Sequence, residues 1–586
     1  MCGIFGYVGN AKNTAAKILS GLKLLEYRGY DSWGIAVKNG AKLAVEKHIG
    51  KIGTSVATLP NSTIGIGHTR WATHGGVTSE NAHPHTDCTL QLAVVHNGIV
   101  ENFAELKKEL VSKNHTFISE TDTEVISHMV EELLKTNGFA TSVRKAFLSL
   151  QGLNALVIVN AKSKEIIAAK NGSPLVVGKG KDGYYIASDV SGIIEHTREV
   201  LFLKDNQMVI LGTQVQLLSL PEGKKLPIIF EKIDWAIEKA DKGRFPHFMI
   251  KEIFEQPKVI RNIAQNYEDQ LIKISHLIEK ANGTFFIGAG TAFHACLVGM
   301  YLFSHLAKKH VNTAVASEFN YLEDFLTKKS LIIALSQSGE TIDVIEPLNR
   351  AKEKGSKIIA FTNVLGSTIY RMADHKILLG AGPEKAVAST KAYIAKLSAL
   401  LLLTFVMNKN MVKGRSLLLK VADEIDRLLK KSEVDLIKSI AQRLKNVQHL
   451  YVIGRGLSYP SALEGALKIK EVSYIHTEGL AGGELKHGTI ALISPGTPCI
   501  VFAPHDETYF AMISNATEIK SRGGIIIGIS HENSPVFDFY IEVKDIGEAT
   551  VIAQNIPLQL LGYFLAVEKK LDPDKPRNLA KSVTVK

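Results

Sequence analysis

Two stretches in the second half of the chain repeat one another, and that repetition limits the folds open to it. "GTFFIGAGTAFHACLVGMYLF" and "HLYVIGRGLSYPSALEGALKI" are the same unit, an apolar strand, a Gly-x-Gly turn and a helix, with Gly288 and Gly454 166 positions apart. Further on, "SLIIALSQSGET" answers "PCIVFAPHDET", with Glu340 and Glu507 167 apart, and "GSKIIAFTN" answers "GGIIIGIS". Three matches in one order at nearly one offset indicate a duplication. Near-continuous apolar strands alternating with helices are those of sheets covered on both faces. Each copy is therefore expected to be an α/β domain built on a parallel sheet.

The first 220 residues are written differently. "TIGIGHTRWATHGG", "QLAVVHNGIV", "NALVIVN", "EIIAAKNGSPLVVGK" and "DGYYIASD" read as short strands ending in turns. "ENFAELKKEL" and "TDTEVISHMVEELLK" have helical apolar spacing, which predicts an α+β layered domain. Between the halves, "SLPEGKKLPIIFEKIDWAIEKADKGRFPHFMIKEIFEQP" breaks into Pro, Gly and charge and predicts a linker or hinge.

A chain of 586 residues is too long for one core, so two to four domains are expected. No apolar stretch is expected to reach the roughly 18 to 20 residues of a spanning helix. The N-terminus also lacks the pattern of a signal peptide, so a soluble cytoplasmic protein with no membrane partner is expected. The four cysteines, Cys2, Cys88, Cys296 and Cys499, form no CxxC pair and suggest neither a zinc site nor a disulfide framework. The net charge of +11 comes without a dense basic block or interleaved aromatics. It reads as a solvated basic surface suited to an anionic substrate, not as a nucleic-acid footprint.

"ALSQSGET" joins an apolar strand to the helical stretch "IDVIEPLNRAKEKG". Ser336, Gln337, Ser338 and Thr341 thus crowd a strand-to-helix turn where Gly339 allows close backbone approach. Hydroxyls, an amide and free helix N–H groups make a phosphate cradle without a lysine; the alternative is an ordinary serine-rich helix cap. The second copy reads "FAPHDET" here, without the serines, so one copy would bind phosphate while the other is released for another task. A dinucleotide reading is weak, because "GAGTAF" and "GRGLSY" both lack the third glycine of GxGxxG.

"YPSALEGALKIKEVSYIH" places Glu464, Lys468 and Glu471 on one helical face. That face is either an exposed salt-bridged surface or part of a ligand site at the C-terminal ends of the strands. "GLAGGELKHG" follows, a glycine-rich loop carrying Glu484 and His487. A carboxylate and a histidine near a sugar phosphate can perform ring opening and enolisation. At the other end of the chain, Cys2 follows the initiator methionine. Once Met1 is removed, the free α-amino group, of ordinary pKa near 7.7 to 8.0, can serve as general base beside its own thiol. A small residue at position two also arises by chance.

"LEYRGYDSWG", "GIGHTRWATHGG", "NAHPH", "VVHNGIVENF" and "SETDTEV" together resemble the glutaminase domain of amidotransferases with an N-terminal cysteine. With two sugar-isomerase domains behind it, the whole chain resembles the glutamine–fructose-6-phosphate aminotransferase (isomerizing) family, through to the tail "DPDKPRNLAKSVTVK". The resemblance implies an α+β N-terminal nucleophile (αββα) glutaminase domain followed by two duplicated α/β sugar-isomerase domains with parallel sheets. It implies a glutamine amidotransferase domain over 1–225, a linker with connecting helices over 226–280, and isomerase domains over 281–415 and 440–586. The implied reaction makes glucosamine 6-phosphate and glutamate from glutamine and fructose 6-phosphate, the first step of amino-sugar synthesis, with ammonia passing through an internal channel.

By resemblance, Cys2 is the nucleophile, Asn97 and Gly98 the oxyanion hole, Arg70 and Asp122 the clamp on the glutamine backbone with Thr73 and His74 beside them, and Trp71 the channel gate. Thr291, Ser336, Gln337, Ser338 and Thr341 match the phosphate site, and Val387 and Ser389 sugar contacts. Glu471 matches the base acting between C1 and C2, with Lys468 tuning it. His487 matches the ring-opening histidine supplied by the neighbouring subunit, which implies a homodimer. Lys581 matches the Schiff-base lysine. No cofactor or metal is implied; His83 and His85, as "HPH", lack a surrounding ligand set. One departure is Ala289-Gly290-Thr291-Ala292, where the family commonly shows Cys-Gly-Thr-Ser; weaker substrate binding is expected from the missing serine. An amidotransferase acting on phosphoribosyl pyrophosphate would carry two adjacent acidic residues ending a strand, which this chain lacks. A non-catalytic sensor would have lost Cys2, Glu471 or Lys581, and a deglycase normally lacks the glutaminase half.

Overall fold

The computed structural model describes residues 2–233 and 241–584. Described residues 2–233 and 582–584 form one compact unit, and 241–581 form another. In the first, strand Gly3–Gly9 lies inside an eight-stranded sheet between Gly183–Ala187 and Ile64–Arg70, antiparallel to both. A seven-stranded antiparallel sheet holds Leu92–Gly98 beside Asn154–Asn160. Successive side chains of a strand point to opposite faces. Ile4 and Val8 accordingly meet Ala93, Val95 and Val157 in a core between the sheets. Phe5 and Tyr7 face helix Thr14–Leu25 on the outside. Leu92 and Val94 face helices Glu124–Leu134 and Phe139–Leu148 on the far side. The result is the expected αββα sandwich.

This unit runs past residue 225. Lys225–Leu226 pairs with Val215–Ser219, and Glu231–Lys232 pairs with Glu199–Phe202. Such two-residue edge pairings have no periodicity to read in sequence. Residues 234–240 of the expected linker lie outside the described residues. At the other end, Ser582–Thr584 group with the first unit, not with the second isomerase domain, and the Ser173 hydroxyl donates to the Thr584 carbonyl at 3.2 Å.

The second unit holds two five-stranded parallel sheets. One runs in the order Asn312–Val315, Gly283–Gly288, Ser330–Ser336, Lys357–Thr362, His375–Leu378. The other runs His476–Ala481, His449–Gly454, Pro498–Ala503, Ile525–Ser530, Phe539–Glu542. Both therefore have the doubly wound order 2-1-3-4-5, the duplication expressed as topology. Helices Phe248–Phe254, Gln256–Asn266 and Glu268–Lys280, expected as connectors, contribute to the shared core of the two halves.

Helix Lys391–Met407 is buried nearly all round, the pattern of a central core helix. Against expectation, the segment Gly547–Glu568 is long and apolar enough to cross a membrane, but 89% of its most apolar window is buried inside the unit. Gln554, Gln559 and Asn555 interrupt its apolar run; the Gln554 and Asn555 amides donate to the Ser461 hydroxyl, and the Gln559 amide oxygen accepts from Gln256. It is a second core helix.

The Gly-x-Gly turns are explained by backbone packing. A Cβ at Gly454 would lie 2.2 Å from the Ser458 carbonyl, and one at Gly288 2.8 Å from the carbonyl carbon of Ala292. The second glycines, Gly290 and Gly456, both have φ of +54°. Gly454→Ala is therefore expected to destabilise the second unit by roughly 1–3 kcal/mol, through overpacking against backbone that cannot yield. Gly138→Ala, with nothing within 4 Å of the new Cβ, should stay within about 0.5 kcal/mol of wild type. Thermal unfolding of the two variants makes the comparison.

Candidate active sites

Strand register brings the first set of residues together. Gly3 pairs with Thr69, so Cys2 stands beside the end of strand Ile64–Arg70, and the Trp71 N–H donates to the Cys2 Sγ at 3.3 Å. From the other sheet, Asn97 ends its strand and donates from Nδ2 to the Cys2 carbonyl at 3.0 Å. Gly98 has φ of +150°, and a Cβ there would sit 2.5 Å from the Leu153 carbonyl. Only glycine fits. Cys2, Arg70, Trp71, Thr73, His74, Asn97, Gly98 and Asp122 line one pocket, together with His83, His96, Thr121 and Thr123.

Polar support surrounds that pocket. His68 is fully buried, and burial pushes its pKa down to about 3 against the opposing effect of its Asn97 hydrogen bond, so its ring is neutral. Its Nε2–H lies 3.1 Å from both the Asn97 Oδ1 and the His96 carbonyl. That contact fixes the amide orientation: with Oδ1 engaged, the Asn97 NH2 is turned towards Cys2. His96 is held in turn by Thr123 and Asn154, each at 2.9 Å. The Arg70 guanidinium donates to the carbonyls of His74, Gly75 and Gly76, tying down the loop that follows Trp71. Asp122 accepts from the Val100 N–H at 2.7 Å. His83 and His85 are buried, with pKa values held well below normal first by burial, and His83 stacks on His68 at 4.2 Å. They are core histidines.

The second unit holds the other set. The Ser336 hydroxyl accepts from Gly339 N–H at 2.9 Å, and the Ser338 hydroxyl from Glu340 N–H at 3.2 Å. Gly339 has φ of +67°, and a Cβ there would meet the Ser367 hydroxyl at 2.0 Å. Glu340 anchors the turn by accepting from Thr368 N–H at 2.8 Å. Thr341 is the N-cap of helix Ile342–Glu353, yet its side chain makes no capping bond. Ser336 and Ser338 thus serve the turn's own backbone, while the Thr341 hydroxyl is not used as a cap. In the second copy, Asp506 does cap its turn, accepting from both the N–H and the hydroxyl of Thr508.

The helix Ser458–Ser473 carries its charges inside. Glu464 and Lys468 are each 1% exposed, with 3.6 Å between Lys468 Nζ and Glu464 Oε1, and Lys468 also pairs with Glu471. Burial disfavours the Lys468 charge, but Glu471 and Glu464 outweigh it and raise the pKa. An exposed salt-bridged face is thus excluded. Glu464 reaches across to the other copy, accepting from the Thr291 hydroxyl at 3.1 Å and lying 2.8 Å from His294 Nδ1.

Lys581 pairs with fully buried Glu384 at 2.6 Å. Glu384 also accepts from the Ser389 hydroxyl and from the Thr390 and Ala392 N–H groups. Burial raises its pKa, but the Lys581 charge and hydrogen bond, with the Ala392 N–H, overcome that and hold it at about 2. Burial pushes nearby Lys396 down to about 8, against the pull of Glu384. Burial and the Glu384 charge push Glu252 up to about 8. The buried Val387 donates its N–H to the Asp574 carbonyl at 3.0 Å. His487 and Glu484 sit exposed on the short helix Glu484–His487.

Comparison with known proteins identifies the domains that carry these residues. The model of the glutamine amidotransferase domain matches residues 68–195, and that of the SIS domain matches 277–406 and 443–564. The chain is 43% identical over 604 residues to the glutamine–fructose-6-phosphate aminotransferase (isomerizing) of Thermococcus kodakarensis, covering 100% of each. It is 42% identical over 609 residues to that of Clostridium acetobutylicum, again covering 100% of each. The chain belongs to the glutamine–fructose-6-phosphate aminotransferase (isomerizing) family. The solved C-terminal domain of glucosamine-fructose-6-phosphate aminotransferase from Francisella tularensis is similar to this aminotransferase-family chain with a TM-score of 0.54 at 31% identity, covering 57% of this chain and 100% of that one.

Of the expected sugar-side residues, the structure brings Ser389 and Lys581 into one buried cluster and Thr291, Lys468 and Glu471 into another, while Ser336, Gln337, Ser338, Thr341 and Val387 belong to neither and His487 is exposed. One cluster joins Ser389, Glu384 and Lys581; the other joins Thr291, Glu464, Lys468 and Glu471. Sequence reasoning passed over His68, His294, Glu252, Glu384 and Lys396. Glu384 could have been found, as the one acid in "GPEKAVAST" beside Val387 and Ser389. Nothing in the strand "IGIGHTR" marks His68, whose partners come from another strand.

Two outcomes follow from this geometry. Asn97→Ala is expected to lower glutaminase kcat roughly 10²–10³-fold, the usual effect of losing an oxyanion-hole donor. His68→Ala, which only releases the amide, should cost about tenfold in kcat with little change in KM. Glutamate release under saturating glutamine measures both. For the second unit, Glu384 is depressed in the folded state, so its stabilisation is complete above its ordinary value of 4.5 and is lost as pH falls towards 2. The unfolding temperature should therefore drop on acidification through that window. Glu384→Gln should lower it at neutral pH too, through the loss of roughly 3–5 kcal/mol of stability expected for a broken buried pair, and flatten the acid limb.

Proposed function

We propose that this chain transfers the amide nitrogen of L-glutamine to D-fructose 6-phosphate and isomerises the product to D-glucosamine 6-phosphate, releasing L-glutamate. The observation that carries the reading is full-length similarity to aminotransferases of that name, joined to a Cys2 thiol in a pocket with the Asn97 amide. With Met1 removed, the α-amino group of Cys2 takes the thiol proton as the sulfur attacks the glutamine carboxamide. The Asn97 NH2 and the Gly98 N–H stabilise the tetrahedral oxyanion. Arg70 and Asp122 hold the carboxylate and amine of glutamine, with Thr73 and His74 beside them. Collapse releases ammonia and leaves a γ-glutamyl thioester, which water hydrolyses to glutamate.

Ammonia reaches the sugar without release to solvent, where at neutral pH it would be largely protonated and non-nucleophilic; Trp71 gates that passage. Ser336, Gln337, Ser338 and Thr341 hold the phosphate on hydroxyls and the free N–H groups of helix Ile342–Glu353, with Thr291 nearby, and Val387 and Ser389 contact the sugar. Lys581, after losing a proton to solvent, condenses with the carbonyl of the open-chain ketose to form a Schiff base, and the carbonyl oxygen leaves as water. Ammonia displaces Lys581, and Glu471, paired with Lys468, moves the proton between C1 and C2. His487 opens the sugar ring from the neighbouring subunit of a homodimer, and the enzyme works in the cytoplasm.

The test is a paired assay of glutamate and glucosamine 6-phosphate. Near-equal yields, both abolished by Cys2→Ala, are expected; glutamate without amino sugar would overturn the acceptor named here. Lys581→Ala should retain glutamine hydrolysis while amino-sugar formation falls by at least about 10³-fold, the scale of losing covalent catalysis. Equal loss of both activities would contradict the division of labour.

A further inference from the structure

We propose that the glutaminase unit binds one structural Zn²⁺ through Cys88, His115, His128 and Glu131. Their ligand atoms lie within 4.8 Å of one another. Cys88 Sγ is 3.7 Å from His115 Nδ1 and 3.6 Å from His128 Nδ1, while Glu131 Oε2 is 3.1 Å from the former and 3.2 Å from the latter. A tetrahedral zinc with Zn–S near 2.3 Å and Zn–N near 2.0–2.1 Å sets its ligand atoms roughly 3.3–3.6 Å apart. Four of the six pairs already stand near that spacing, and the whole set lies within 4.8 Å.

Proton bookkeeping points the same way. The outer ring nitrogens also face carboxylates: His115 Nε2 lies 3.1 Å from Glu132 Oε2, and His128 Nε2 lies 3.5 Å from Glu124 Oε1. In a neutral ring, an Nε2–H aimed at a carboxylate leaves a lone pair on Nδ1. For His115 that lone pair meets a carboxylate oxygen, a sulfur and the Nδ1 of His128, whose own Nε2 makes no hydrogen bond; a divalent cation satisfies that convergence. Carboxylates behind the imidazoles are the outer shell that orients histidine ligands at zinc sites. Thiolate, imidazole and carboxylate donors suit Zn²⁺, and four protein ligands leave no open position, which makes the site structural.

The ligands come from three segments. Cys88 is on the turn before strand Leu92–Gly98, His115 follows helix Phe103–Ser112, and His128 and Glu131 lie one turn apart on helix Glu124–Leu134. The ion would pin that helix, whose start follows Asp122 by two residues. No compact motif announces the set, and the scattered cysteines led the sequence to be read as metal-free.

Full-length Cys2→Ala protein, which lacks the competing catalytic thiol, is stripped with a chelator, reloaded with Zn²⁺ or Co²⁺ and desalted. One zinc per chain by elemental analysis is expected, and the Co²⁺ form should show tetrahedral visible bands with a near-ultraviolet thiolate charge-transfer band. Adding Cys88→Ser should abolish the charge-transfer band. Glu132→Gln should keep it but weaken Zn²⁺ affinity roughly 10–100-fold. Folding of each variant is checked by near-ultraviolet circular dichroism. Natively folded protein that retains no zinc, or a cobalt spectrum unchanged by Cys88→Ser, would overturn the site.

Discussion

The thiol site depends on the pairing of strand Gly3–Gly9 on both of its edges. Because Phe5 is registered against Ala187 on one side and Gly67 on the other, the chain entering that strand has no freedom to slide; a slip by one residue would exchange its two buried faces. Gly3 reinforces the position. A Cβ there would lie 2.6 Å from the Thr69 hydroxyl and 2.8 Å from the Leu25 Cβ, so nothing larger can follow the cysteine. The Cys2 thiol is thereby held at one sheet's end, while the second sheet delivers Asn97 and Gly98 and His68 turns the amide. Preorganisation of this kind removes the reorganisation that water would have to undergo around a developing oxyanion.

The second unit solves a different problem. Charged side chains sit within its apolar core, and each buried ion is costly unless paired and hydrogen-bonded. Glu384 is satisfied by Lys581, Ser389 and backbone N–H groups; Glu464 is shared among Thr291, His294 and Lys468. Both clusters act on Lys396, whose charge feels Glu384, Lys581 and Glu464 together. The duplicated halves are thus joined by polar contacts as well as apolar packing, through Glu464 on one copy and Thr291 and His294 on the other.

The duplication was legible because it is carried by local signals: an apolar run, glycines required by close approach or positive φ, and a helix. The α+β layering was legible from short apolar strands such as "QLAVVHNGIV" and from the helical spacing of "TDTEVISHMVEELLK", while αββα came from the family resemblance. The edges of the first unit were not, because Lys225–Leu226 and Glu231–Lys232 are too short for any period. The apolar stretch ending at Glu568 was misjudged because buried amides break it without lowering its average much. In the sites, Cys2, Asn97 and the "SQSGET" turn announce themselves through residue type and neighbours. His68, Glu384 and the Cys88 cluster do not, since their meaning lies in partners far along the chain.

The most direct measurement is covalent trapping. An electrophilic glutamine analogue is incubated with the enzyme, and the N-terminal peptide is analysed by mass spectrometry. If strand register presents Cys2 as an N-terminal nucleophile, a single label appears on Cys2 of a peptide that has lost Met1. Labelling of Cys88 in place of Cys2, or labelling of Cys2 with Met1 still attached, would contradict it.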